Sequence, residues 1–124
     1  MNEAGLVLRK VLCALPQFSY RFSSEVELHE GIAAALDCSG VQYEREVQAS
    51  KSDRLDFLCE SGVAIEAKIK GSMTKALLQV GRYCLLRQVS GLIIVATRPW
   101  ACGQSIEAPL GKPVHILRLS AQAF

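Results

Sequence analysis

Three charged side chains stand inside two otherwise apolar runs: Asp56 in RLDFLC (54–59), and Glu66 and Lys68 in VAIEAKI (63–69). Both runs have the length and composition of β-strands, and Glu60-Ser61-Gly62 between them reads as a hairpin loop with a glycine available for positive φ. With that loop, Cys59 faces Val63, Phe57 faces Ile65 and Asp56 faces Glu66. Strand side chains alternate, so Asp56, Glu66 and Lys68 are expected on one face, with Leu55, Phe57, Ile65 and Ala67 on the other. Opposed residues have Cβ atoms about 5 Å apart. At an effective dielectric of about 20, two carboxylates there repel by roughly 3 kcal/mol. A divalent cation between them reverses the sign. Hard oxygen ligands suit magnesium, which takes one or two carboxylates, keeps several waters and accepts phosphate oxygens. Lys68 would then lie beside the metal, able to orient a water or neutralise a phosphate. The plainer alternative is a solvated sheet face carrying an Asp–Glu–Lys salt bridge.

The remaining elements must position this pair. NEAGLVLRKVLCAL reads as an amphipathic helix ending at Pro16, and SSEVELHEGIAAALDCSG as a second helix ending near Gly40. VQYEREVQAS alternates as a strand and leads through a polar turn into RLDFLC. MTKALLQVGRYCLLRQ reads as a third helix of about four turns. GLIIVAT is a continuous apolar run, expected to be buried on both faces. A loop-rich stretch, RPWACGQSIEAPLGKP, precedes VHILRL, a closing strand expected at an edge. The order predicts an α/β domain with helices on a mixed sheet.

On a helical wheel started at Glu25, Leu28, Ile32, Ala35 and Leu36 form one stripe that includes Glu25. His29 falls at its margin and receives no role, nor does His115. An acid on a core-facing stripe is unexpected unless it meets something polar, which points Glu25 toward the sheet site. Ser24-Glu25-Val26-Glu27 matches a capping box, so Glu27 is assigned to the helix cap, and Glu30 is read as solvated.

An acid on the first core helix, D-x(9)-E-x-K across a hairpin, then a helix and a buried strand resemble the PD-(D/E)XK nuclease superfamily over about Ser23 to Thr97. RLDF stands where the proline–aspartate pair would be. Gln79 and Tyr83, as Q-x-x-x-Y on the following helix, resemble an extra motif of the RecB and lambda-exonuclease branch; residues i and i+4 share a helix face. A buried tyrosine with a polar neighbour explains the same pair without function.

The resemblance implies a restriction-endonuclease-like core and a Mg2+- or Mn2+-dependent DNase leaving 5′-phosphate and 3′-hydroxyl ends. Asp56, Glu66 and the Ala67 carbonyl would hold the metal, with Glu25 bound directly or through water, and Lys68 would position the attacking water. Arg82 and Lys70, with Lys51, Arg54 and Lys75, are candidate phosphate contacts, although scattered surface cations explain them equally. Glu46 could support the site from behind or be an exposed strand acid, and Trp100 could stack on a base or cover a core edge. A nuclease fold acting only as a binding module for nucleic acid or protein is the alternative.

The totals agree with one domain: 124 residues, half of them hydrophobic, with 1–16 as a helix packing on the core or a partner, 23–97 as the core and 98–124 closing it. A net charge of +2 permits nucleic acid without requiring it. Five cysteines without a CxxC pair, beside two histidines, argue against a zinc site and for mostly buried, reduced thiols in a cytosolic chain. No signal-peptide pattern and no run near the ~20 apolar residues of a membrane span are present, so a soluble protein is expected. A homodimer through the N-terminal helix is a further expectation, because a small nuclease core needs added surface to grip a duplex.

Overall fold

A computed structural model describes residues 2–101 and 103–120. Helix α1 (Glu3–Ala14) is capped by Asn2, which accepts the Gly5 N–H at 2.8 Å. It buries Ala4, Val7, Val11 and Ala14 and gives way at Pro16 to a short tight turn. Helix α2 (Glu25–Cys38) starts at Ser24, whose hydroxyl accepts the Glu27 N–H at 3.2 Å. Glu27 reaches back to the Ser23 N–H at 3.1 Å and to the Ser23 hydroxyl. The expected reciprocal cap therefore forms, its return arm displaced by one residue.

Strands β1 (Tyr43–Gln48), β2 (Arg54–Cys59) and β3 (Val63–Lys68) form an antiparallel meander. Helix α3 (Met73–Tyr83) crosses over to β4 (Gly91–Ala96), parallel to β3. Strands β5 (Ser105–Ile106) and β6 (Val114–Arg118) complete a six-stranded sheet of order β1-β2-β3-β4-β6-β5. The protein is thus α/β, a mixed sheet flanked by helices, as the element order predicts. α1 and α2 cover one face, meeting Phe57, Ile65, Ala67, Ile93 and Val95. α3 and the C-terminal loop cover the other, meeting Leu55, Ala64, Leu92, Ile94 and Ala96. β4 is buried along its whole length, which accounts for its unbroken apolar run.

Several expectations are corrected. α3 has three turns rather than four, because residues 84–89 tighten into successive turns (Leu85 N–H to Arg82 O, Leu86 N–H to Tyr83 O) that tuck Cys84 and Val89 into the core. β6 is not an edge: it lies between β4 and the two-residue β5 within the loop-rich stretch. Of the cysteines, Cys59 and Cys84 are buried but Cys13 and Cys38 are exposed, all four free; Cys102 lies outside the described residues. Burial pushes the Cys59 thiol up to about 12. Trp100 covers a core edge and donates its indole N–H to the Gly71 carbonyl at 3.2 Å. Among the described residues no helix is long and apolar enough to cross a membrane.

Leu55 and Phe57 should share a face, yet Phe57 packs under α2 and Leu55 under α3. The neighbouring strand does the same: Arg45 lies over the Phe57 ring at 5.5 Å, while Val47 packs on the α3 side. Between them the β1–β2 register skips the Glu46–Asp56 pair, and Glu46 has φ 53°. A left-handed residue rotates the strand there, so both strands change face at Asp56.

The β2–β3 loop depends on Gly62, whose φ is +76° and where a Cβ would meet the Gln88 carbonyl and the Ser90 hydroxyl, each at 2.8 Å. Gly62→Ala is expected to cost about 2 kcal/mol, lowering Tm by roughly 6–10 °C. Gly81→Ala, in the last turn of α3 with open space at the Cβ position, should instead stabilise by about 0.5 kcal/mol. Thermal melts of the two variants check both signs.

Candidate active site

The hairpin register agrees with the sequence as far as Phe57↔Ile65, where the regular β2–β3 pairing stops. One position further on, side chains replace the ladder. The Asp56 N–H donates to Glu66 Oε1 at 2.9 Å, and the Ala67 N–H donates to Asp56 Oδ2 at 2.9 Å. A strand N–H points along the sheet toward its neighbour, so each carboxylate occupies the position a partner carbonyl would normally take. The acids do oppose one another, but in a gap between strands. Asp56 does not sit on one flat face with Glu66 and Lys68.

That gap is reached from both sides of the sheet. From α3, Gln79 Nε2 donates to Glu66 Oε2 at 3.3 Å and to the Tyr83 hydroxyl at 3.0 Å, and Tyr83 in turn donates to the Arg54 carbonyl at 3.4 Å. Gln79 and Tyr83 therefore act together on one helix face, as their spacing predicts, and their target is Glu66. Lys68 Nζ stands 4.0 Å from Glu66 Oε2. From α2, His29 Nε2 lies 3.4 Å from Asp56 Oδ2, its ring edge-on to Phe57 at 5.7 Å.

Glu25 is corrected. It is exposed, as is Val26 beside it, because the first turn of α2 overhangs the packed face and the buried stripe begins only at Leu28. Its charge still reaches Glu66, as a minor contribution. His29, one turn further in, is the α2 side chain that approaches Asp56. The signal was present in the wheel, since residues i and i+4 share a face and the histidine sits where α2 first meets the sheet.

The other candidates lie outside the gap itself. Arg82 pairs through Nε with Asp53 Oδ1 at 3.2 Å while staying half-exposed. Lys70, Lys75 and Lys51 are exposed. Arg54 is exposed too and contributes its carbonyl to Tyr83. Glu46 is exposed at the strand kink, away from a supporting role. Glu30 is not merely solvated but pairs with Arg45 at 2.9 Å.

Electrostatics follow from burial. Glu66 is only 4% exposed, and its carboxyl is pushed up to about 7, first by burial and next by the Asp56 charge. The Asp56 N–H and Lys68 oppose that rise, and Glu25 adds to it. Burial and Glu66 together push the Tyr83 hydroxyl up.

The donor set suits a hard divalent cation. Among the described residues no three His, Cys, Asp or Glu side chains converge as a metal cluster. Magnesium needs only one or two carboxylates beside carbonyls and waters, however. Asp56 Oδ1 accepts no hydrogen bond among the described residues, and the Ala67 carbonyl faces the same gap as its N–H. His29 Nε2 and Gln79 Oε1 are both buried without a hydrogen-bond partner, polar atoms that a cation with its water shell would satisfy.

Compared with known proteins, the chain matches no family model, no curated protein and no solved structure.

The raised Glu66 carboxyl makes stability depend on pH. Between about 4.5, its ordinary value, and 7, the folded chain holds a proton that the unfolded chain has released. Stability therefore falls as pH rises through that window, by about 3 kcal/mol once Glu66 is fully ionised. In chelator, Tm should drop from pH 5 to pH 8 in the native chain, and Glu66→Gln should remove most of that drop. Millimolar Mg2+ or Mn2+ should restore the native chain at pH 8 and leave the variant unmoved.

Proposed function

We propose that this chain is a divalent-metal-dependent nuclease with a restriction-endonuclease-like core, hydrolysing phosphodiester bonds in DNA. The observation that carries the reading is the opposed Asp56–Glu66 pair with Lys68 at 4.0 Å, two acids and a lysine gathered around one partly buried gap in the sheet. Asp56, Glu66 and the Ala67 carbonyl would hold the metal, and His29 Nε2 offers a nitrogen donor that makes Mn2+ as suitable as Mg2+. Such a metal supplies a Lewis acid for a phosphate oxygen and lowers the pKa of a bound water.

The chain's own residues do the rest. Lys68 orients the attacking water and balances charge on the phosphate. Gln79, fixed by Tyr83, keeps Glu66 turned into the gap. Glu25, exposed at the mouth, acts through water. The water oxygen bonds to phosphorus and its proton passes to solvent, the P–O3′ bond breaks, the 3′ oxygen takes a proton from solvent, and the products carry a 5′-phosphate and a 3′-hydroxyl.

One observation favours a second reading, a nuclease fold that only binds. Both carboxylates already accept main-chain N–H groups, so the gap is internally satisfied in part. Incubation with linear, circular and branched DNA and with RNA, under Mg2+ or Mn2+, separates the two. Native cleavage that falls by about 10²–10³-fold in Lys68→Ala and Asp56→Ala, and vanishes in EDTA, supports the enzyme. Cleavage undiminished in these variants would defeat the site, and none on any substrate would leave the binding module. Titration calorimetry with Mn2+ should show His29→Ala weakening binding by about tenfold.

A further inference from the structure

Asp53 and Glu66 are the two charged residues buried among the described residues, and the metal site has no use for Asp53. It closes the β1–β2 turn: its N–H donates to the Ser50 hydroxyl at 3.0 Å, and its Oδ2 accepts from that hydroxyl at 3.1 Å. Its other oxygen, Oδ1, takes the Nε–H of Arg82 at 3.2 Å, and the Arg82 guanidinium lies over the Tyr83 ring at 5.6 Å. A guanidinium held at Nε and against a ring keeps its two terminal amino groups directed outward, a fork that matches phosphate. The Arg82 side chain is 56% exposed, against 11% for Asp53, so the acid is anchored and the cation is presented.

What Arg82 faces is a groove of about 280 Å³ lined by Lys68, Lys75, Leu78, Gln79 and Arg82. Lys75, Leu78 and Arg82 share one face of α3 at i, i+3 and i+7. Lys68 closes the groove at its inner end, beside Glu66. Three cations and no acid line this groove, and it adjoins the candidate metal site at Lys68 and Gln79, both of which approach Glu66. The buried Gln79 Oε1, without a partner, lies at that junction.

We infer that this groove is a second phosphate subsite, binding the backbone phosphate next to the scissile one, and that Asp53 is a positioning residue that aims Arg82 into it. The inference rests on the nuclease reading and specifies backbone contact, hence recognition indifferent to base sequence. Asp53 acts through orientation, so its effect on binding has the opposite sign from its effect on net charge. Removing a negative charge near a polyanion site should tighten binding; releasing Arg82 should loosen it.

The probe is a fluorescein-labelled single-stranded 12-mer in EDTA, followed by anisotropy from 20 to 200 mM salt, so that neither metal nor cleavage enters. Asp53→Asn is expected to weaken binding about three- to tenfold despite its added positive charge, and Arg82→Lys, which keeps charge but loses the fork, to do the same. Arg82→Ala and Lys75→Ala should each lower the salt slope by about 0.7, one phosphate contact in a single strand. Two 12-mers of unrelated sequence should respond alike. Thermal melts verify folding, and because Arg82 is half-exposed, Arg82→Lys decides the outcome if Asp53→Asn unfolds. Binding as tight as native, or tighter, in the folded Asp53→Asn and Arg82→Lys chains overturns the inference, as does a native chain that does not bind the 12-mer. If the binding pattern holds while no nucleic acid is cleaved, the subsite stands and the nuclease reading falls.

Discussion

The structure turns on an exchange of hydrogen bonds at one level of the sheet. Where β2 and β3 should continue their ladder, the Asp56 and Ala67 N–H groups bond to Glu66 and Asp56 carboxylates. Two acids brought this close are tolerated because each accepts a main-chain donor and because burial and the Asp56 charge raise the Glu66 carboxyl to about 7. The arrangement is satisfied but poised: it carries a cost that a cation can relieve. Everything nearby is arranged around that gap, with His29 on one side and the Gln79–Tyr83 pair on the other.

The gap exists because the strands change face there. Without the left-handed Glu46, Asp56 would point squarely to one side of the sheet and could meet only one helix. With it, the carboxylate lies in the plane of the sheet, where a helix from each side can reach. Regular packing resumes immediately on both sides of the kink, with Phe57 and Leu55 each fully buried in a different cluster. A rigid scaffold thereby holds an irregular centre.

Much of this was legible in the sequence, for reasons that differ by residue. The Asp56–Glu66 opposition followed from a loop of fixed length between two apolar strands, and the joint action of Gln79 and Tyr83 from helical spacing. Both rest on local periodicity, which single sequences carry well. The wheel put Glu25 and His29 on neighbouring parts of one face but did not show that Glu25 is exposed and His29 meets Asp56, because a wheel gives direction but not where along its axis a helix first meets the sheet. The face change at Asp56 escaped as well, since no glycine or proline marks it and a glutamate at positive φ is uncommon. Asp53 was hidden for a similar reason: an acid in a polar turn looks solvated until tertiary contact with Arg82 buries it.

The Glu46 kink has a consequence at the rim of the molecule. β1 is an outer strand, paired on one side with β2, and the outward N–H and C=O groups of such a strand form a template on which another chain could add. A left-handed, charged residue in its middle, preceded by Glu44 and Arg45, breaks the run of donors and acceptors into two short pieces. The turn that opens the centre of the sheet also guards its border, making the chain a poor seed for edge-to-edge polymerisation.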